Sequence, residues 1–136
     1  ANLVALAHAR GFEVRPLVGP SSLLLALMAS GANGQSFAFK GYLPSEKDGR
    51  IQALKALEQH SRKHGETQIF IETPYRNDAL LADAVGQLHP ATRLCVACDL
   101  TLPTQTIISK AVADWRKLKE MPNLKKRPAI FVLYAA

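Results

Sequence analysis

The chain has 136 residues, 48% of them apolar and 21% charged, with a formal net charge of +6. That composition fits one domain with a core of ordinary size and excludes a disordered or low-complexity chain. The longest uninterrupted apolar stretch, Leu23–Ala29, is far too short to span a membrane. No basic leader precedes an apolar run at Ala1-Asn-Leu-Val, so the cytoplasm is the expected compartment.

Residues 2–10 place Leu3, Val4, Leu6 and Ala7 at helical spacing and end at Gly11, a good helix stop. Residues 12–18 read as a short strand. Gly19-Pro20-Ser21-Ser22 is a turn whose serines can cap a helix over 23–30, closed by Gly31. One strand and two helices cannot cover their own apolar faces. Residues 1–34 are therefore expected to be a remnant of a larger domain or an arm packed elsewhere, with a boundary in the turn-rich segment 32–35.

The pattern restarts at Ser36 with a strand carrying Phe37, Phe39 and Leu43. Ser45 and Asp48 then introduce a helix over 49–64 with the stripe Ile51, Leu54 and Leu57. A buried strand over 67–72 follows, and Thr73-Pro74 starts a helix running through Leu80, Leu81, Ala84, Val85 and Leu88. Residues 93–98 and 105–109 read as the third and fourth strands, 111–119 as an amphipathic helix holding Val112, Trp115 and Leu118, and 128–134 as the closing strand. Five strands and three helices make residues 35–136 a complete α/β domain.

Several places could carry chemistry. The turn at Ser21 and Ser22 offers free backbone N–H groups and hydroxyls at a helix start, suited to an anionic or polar ligand group. An ordinary Ser cap explains the same residues, and Leu23 stands where a hydrolase elbow needs glycine. Glu72 emerges at the carboxyl end of a strand, where open α/β sheets place ligands, with Tyr75 and Arg76 one turn on. A capping carboxylate paired to Arg76 is its plainer role. Cys95 and Cys98 lie three apart in a strand and so on opposite faces. With no second cysteine pair and only scattered histidines, no metal site is expected. Seven cations fall between Lys110 and Arg127 against Asp114 and Glu120. A solvated helix face accounts for them, and a surface for an anionic partner is the alternative.

Three phrases carry a further signal. Val18–Gly31, Phe39-Lys-Gly-Tyr-Leu-Pro44 and Ile69-Phe-Ile-Glu-Thr-Pro-Tyr-Arg76, in this order, resemble the tetrapyrrole methylase family of S-adenosylmethionine-dependent methyltransferases, on its ribosomal RNA small subunit methyltransferase I branch. The resemblance implies a mixed five-stranded sheet over 35–136, the C-terminal domain of a two-domain class III methyltransferase, preceded by a helix–strand–helix piece of the N-terminal domain. It implies S-adenosyl-L-methionine as the cofactor. Ser21 and Ser22 would meet its polar end, Ile71 and Glu72 its adenine side, and Pro128 and Ala129 would close the wall. The acceptor would be RNA or a small heterocycle, no catalytic side chain is assigned, and a homodimer is expected.

Two departures from the family pattern are visible. Cys98 and Leu102 stand where the RNA-methylating branch carries Arg and Lys, and the family's Gly-rich donor-binding turns do not occur in this sequence. The chain is therefore expected to be a fragment with no turnover of its own. A non-catalytic RNA-binding module built on the Lys110–Arg127 cluster, or a dimerisation module, is the alternative.

Overall fold

The computed structural model describes all residues, Ala1–Ala136. Helix α1 spans Asn2–Ala9 and α2 Ser22–Ser30, followed by β1 Phe37–Tyr42, α3 Lys47–His64, β2 Thr67–Ile71 and α4 Asn77–Gln87. Strand β3 spans Arg93–Cys98, β4 Thr106–Ala111, the single turn α5 Val112–Trp115, and β5 Ala129–Tyr134. The strands form one mixed sheet in the order β1-β2-β5-β3-β4, in which only β1 and β2 run parallel. Strand β5 lies at the centre and is antiparallel to both β2 and β3. The ends of β1, β2 and β3 therefore meet the start of β5 along one edge of the sheet.

The central strands are apolar on both sides because both faces are covered. Leu94, Val96, Phe131 and Leu133 pack beneath α3, α4 and α5, while Cys95, Ala97, Ile130 and Val132 pack beneath Ala26 and Leu27 of α2. The two cysteines do fall on opposite faces. Phe70 and Phe131 stack across neighbouring strands, centroids 5.6 Å apart and rings nearly parallel. Trp115 is fully buried and its indole N–H donates to the Leu94 carbonyl at 2.8 Å, so the aromatic bulk brings no unpaired polar atom with it.

The buried face of α3 is largely polar: Arg50, Leu54, Glu58 and Ser61 share it. Each polar member is bound. Arg50 Nε donates to Asp83 of α4 at 2.7 Å, Glu58 accepts from the His89 backbone N–H at 2.8 Å, and Ser61 Oγ accepts from the Ala135 N–H at 2.9 Å. These contacts fix α3 at three separate points, and the expected stripe Ile51 and Leu57 is only partly buried beside them.

Three expected elements differ. Residues 12–18 form no strand, since no neighbouring strand supplies ladder partners, and Leu17 and Val18 are fully exposed. Helix α4 starts at Asn77, after a turn in which the Arg76 N–H reaches the Thr73 carbonyl at 2.9 Å. The helix expected over 111–119 shrinks to one turn: Ala111 stays in β4, and the Lys117 and Leu118 N–H groups tighten onto the carbonyls three residues back, Asp114 and Trp115. Ser21 is the N-cap residue of α2, but its hydroxyl makes no capping bond, and neither Ser45 nor Asp48 caps α3.

Replacing Trp115 with Ala empties the largest buried volume and removes the indole's bond to the Leu94 carbonyl. Urea unfolding should show a loss of about 3–5 kcal/mol, with the m-value retained.

Candidate functional site

A cleft of about 350 Å³ opens where the strand ends converge, within the range of small-molecule sites of about 300–1,000 Å³. Ser22, Ile71, Glu72, Pro128 and Ala129 all line it. Its walls are mostly apolar, with Ala97, Leu100 and Ile130 beside Ile71. Of the six residues expected to meet the cofactor, Ser21 alone stands outside the lining, half-buried one residue before α2.

Tyr42 reaches the cleft through a break in strand register. Gly41 takes φ +69°, and the β1–β2 pairing slips between Phe39 and Tyr42. The slip turns Tyr42 onto the cleft side, where it is 65% exposed at the mouth. A side chain at position 41 would strain that left-handed backbone.

Two buried carboxylates line the cleft, Glu72 and Asp99; the Glu72 side chain is the more enclosed, 2% exposed. Oε1 accepts the Thr73 N–H at 2.7 Å and meets Arg76 Nε at 3.2 Å. Oε2 is buried without a hydrogen-bond partner in the protein. A buried acceptor left open costs free energy that a ligand donor would recover. At the start of α2, backbone N–H groups without a side-chain cap adjoin Ser22. An apolar slot with one open carboxylate oxygen and free helix amides suits a ligand that joins a flat, weakly polar ring to a charged tail.

Two residues that the sequence did not single out organise the far rim. Arg127 Nε donates to Asp99 Oδ2 at 2.8 Å, and Thr104 Oγ1 donates to the same oxygen at 2.8 Å. The Arg127 hydrogen bond, then that of Thr104, holds the Asp99 carboxyl below the ordinary carboxylate range. Asp99 in turn raises the Arg127 guanidinium. Arg116 is also a structural cation, donating to the Val85 and Leu88 carbonyls at 2.8 and 2.7 Å at the end of α4. Two of the seven cations between Lys110 and Arg127 are thus engaged in the fold.

The cysteines show no reactive character. Both are free and buried, and burial pushes the Cys95 thiol up to about 11. Burial also raises Cys98, against the opposing effect of Arg127. No cluster of His, Cys, Asp and Glu is arranged to hold a metal ion, and no helix is long and apolar enough to cross a membrane.

Comparison with known proteins places this site in context. Among solved structures, the methyltransferase CobJ superposes with a TM-score of 0.52 at 20% identity, over 98% of this chain and 61% of that one. A diphthine synthase gives 0.58 at 11% identity over 98% and 53%, and the cobalt precorrin-4 methyltransferase CbiF 0.51 at 14% over 98% and 56%. The sheet and its connections thus have the class III methyltransferase fold.

Ribosomal RNA small subunit methyltransferase I of Escherichia coli O157:H7 is 33% identical over 135 residues, covering 97% of this chain and 45% of that protein. The protein of the same name from Pseudomonas aeruginosa is 35% identical over 134 residues, covering 98% and 46%. No protein-family model matches the chain. Over nearly its whole length the chain is thus similar, at about a third identity, to ribosomal RNA small subunit methyltransferase I proteins, and it shares its fold with class III methyltransferases. It spans about half the length of the curated relatives it matches.

Two measurements check the site's electrostatics. A carboxylate with a lowered folded-state pKa stabilises the fold above the ordinary Asp value of about 3.9 and loses that contribution as pH falls through the folded value. Urea midpoints of the wild type should therefore drop more steeply below about pH 4 than those of Asp99→Asn, which carries no such titration. At pH 8 both thiols of the folded chain should react with Ellman's reagent far more slowly than those of the urea-unfolded chain.

Proposed function

We propose that this chain forms one wall of the methyl-donor site of an RNA methyltransferase, with S-adenosyl-L-methionine bound along the cleft at the start of β5. The observation that carries this is the convergence of Ser22, Ile71, Glu72, Pro128 and Ala129 on one mostly apolar cleft. These residues come from three segments far apart in the sequence. The RNA acceptor is supported by the names of the curated relatives.

The residues fit the donor. Ile71, Ala97 and Ile130 offer apolar surface to a purine ring, and Glu72 Oε2 offers an acceptor to an amine or hydroxyl. The uncapped amides at the start of α2 favour a carboxylate. S-adenosylmethionine would supply an electrophilic methyl group on a sulfonium. The protein's part is to hold that carbon in line with the acceptor, which makes alignment rather than a covalent enzyme residue the main requirement. Tyr42 and Leu102, 65% and 52% exposed, leave the cleft open on the side away from the sheet. The opposite wall is assigned to the Gly-rich donor turns of the family, with residues 1–34 as the junction to the domain that carries them. By itself the chain has one wall of two, so it binds the donor weakly and transfers no methyl group.

Titration of the isotope-labelled chain with S-adenosylhomocysteine, followed by amide NMR, tests this. Shifts in the millimolar range should concentrate at Ser22, Ile71, Thr73, Ala97 and Ala129, and Glu72→Gln should weaken them. Shifts scattered over the surface, or none at saturating ligand, would contradict the assignment.

A further inference from the structure

The β3–β4 loop has an unfavourable backbone. Asp99 and Thr101 both lie in the left-handed region, at φ +52° and +73°, and Thr101 is β-branched, the residue type least suited to it. Such a conformation persists only where its surroundings over-determine it. Arg127 is what surrounds it. Besides its bond to Asp99, its Nη2 donates to the Thr104 carbonyl at 2.7 Å and to Thr106 Oγ1 at 3.0 Å, and Nη1 donates to the Asn123 carbonyl at 2.6 Å. The Thr104 hydroxyl closes the ring on Asp99, and the Thr101 N–H finds Gln105 Oε1 at 2.8 Å.

The backbone that carries this side chain is anchored as well. The Arg127 carbonyl accepts from Asn77 Nδ2 at 2.8 Å, and the Asp99 N–H donates to the Pro128 carbonyl at 3.0 Å. Lys126, just before it, is itself left-handed at φ +58°. One residue thus ties the 99–105 loop and the approach to β5 together through its side chain, and the start of α4 through its backbone. Leu100 and Leu102 of that loop line the cleft; Arg127 does not.

We propose that Arg127 is a positioning residue: through Asp99 and Thr104 it holds the strained loop in the one shape that presents Leu100 and Leu102 as a wall of the cleft. Ligand affinity then depends on a cation that never touches the ligand. The link to affinity rests on the cleft being the donor site; the link to loop order does not. Lysine cannot replace it, because a single ammonium has no planar fork to reach Asp99, Thr104, Thr106 and Asn123 together.

The test compares the wild type with Arg127→Gln, Arg127→Lys, Thr104→Val and Thr104→Ser. Amide exchange at Leu102 and Gln105, whose N–H groups close turns within the loop at 3.0 and 2.9 Å, is measured relative to Phe131 and Val132 of β5. That ratio separates loop release from general destabilisation, and Thr104→Val provides a milder change should Arg127→Gln fold poorly. The ratio should rise roughly tenfold in Thr104→Val, which is one hydrogen-bonded contact's worth of local opening, by at least as much in Arg127→Gln and Arg127→Lys, which lose several, and return to the wild-type value in Thr104→Ser. S-adenosylhomocysteine affinity should fall in the same three variants. An unchanged ratio in Arg127→Gln overturns the proposal, and so does a released loop with unchanged affinity. Failure of the wild type to bind would refute donor binding at this cleft, and the exchange ratios alone would then decide for or against the clasp.

Discussion

Strand β5 is bonded on both sides, antiparallel to β2 and to β3, and is covered on both faces. Everything at the site follows from that placement. Because β5 starts where β2 and β3 end, Pro128 and Ala129 must lie between Ile71 and Cys98 at the same edge of the sheet. The register is held by Phe131, which stacks on Phe70, and by the alternation of large side chains toward α3 and α4 with smaller ones toward α2. A slip of one residue would send Phe131 and Leu133 to the α2 face, where Ala26 and Ala97 leave no room for them. The cleft is therefore a consequence of core packing rather than an addition to it.

What the core does not determine, the loops supply through polar contacts. The rim toward β4 is held by Arg127, Asp99 and Thr104, and the wall toward α4 by Glu72 and Arg76. Both are carboxylate–guanidinium pairs, each with one carboxylate oxygen also accepting a second donor. The pairs differ in what they leave buried: Glu72 keeps Oε2 buried and unpartnered, and Asp99 has no such atom. A buried open acceptor is one that a ligand donor can satisfy.

Much of this was legible in the residues. The buried strands were visible because Arg93–Cys98 and Ala129–Tyr134 are nearly continuous apolar runs, the pattern of strands covered on both faces. Ser22, Ile71, Glu72, Pro128 and Ala129 were named from local phrases, and the fold brings them to one cleft. Arg127 was not legible. It stands in a run of cations, and its partner Asp99 lies 28 residues earlier, so no local pattern joins them. Nor does any periodicity mark Asp99 and Thr101 as left-handed, since that conformation is imposed by contacts from another segment. Residues 12–18 failed in the opposite sense: a good strand pattern forms no strand where no partner strand adjoins it. The long helix expected at 111–119 starts one residue late, because Ala111 stays in β4, and ends early in three-residue turns at Lys117 and Leu118.

The central claim is that the edge of the sheet at the start of β5 is where the methyl donor lies. Crystals of the chain soaked with S-adenosylhomocysteine at high concentration test it most directly. The account predicts the adenine ring against Ile71, Ala97 and Ile130, with a donor atom of the ligand on Glu72 Oε2. An adenosyl group seated anywhere else on the chain, with this cleft left to solvent, would contradict it.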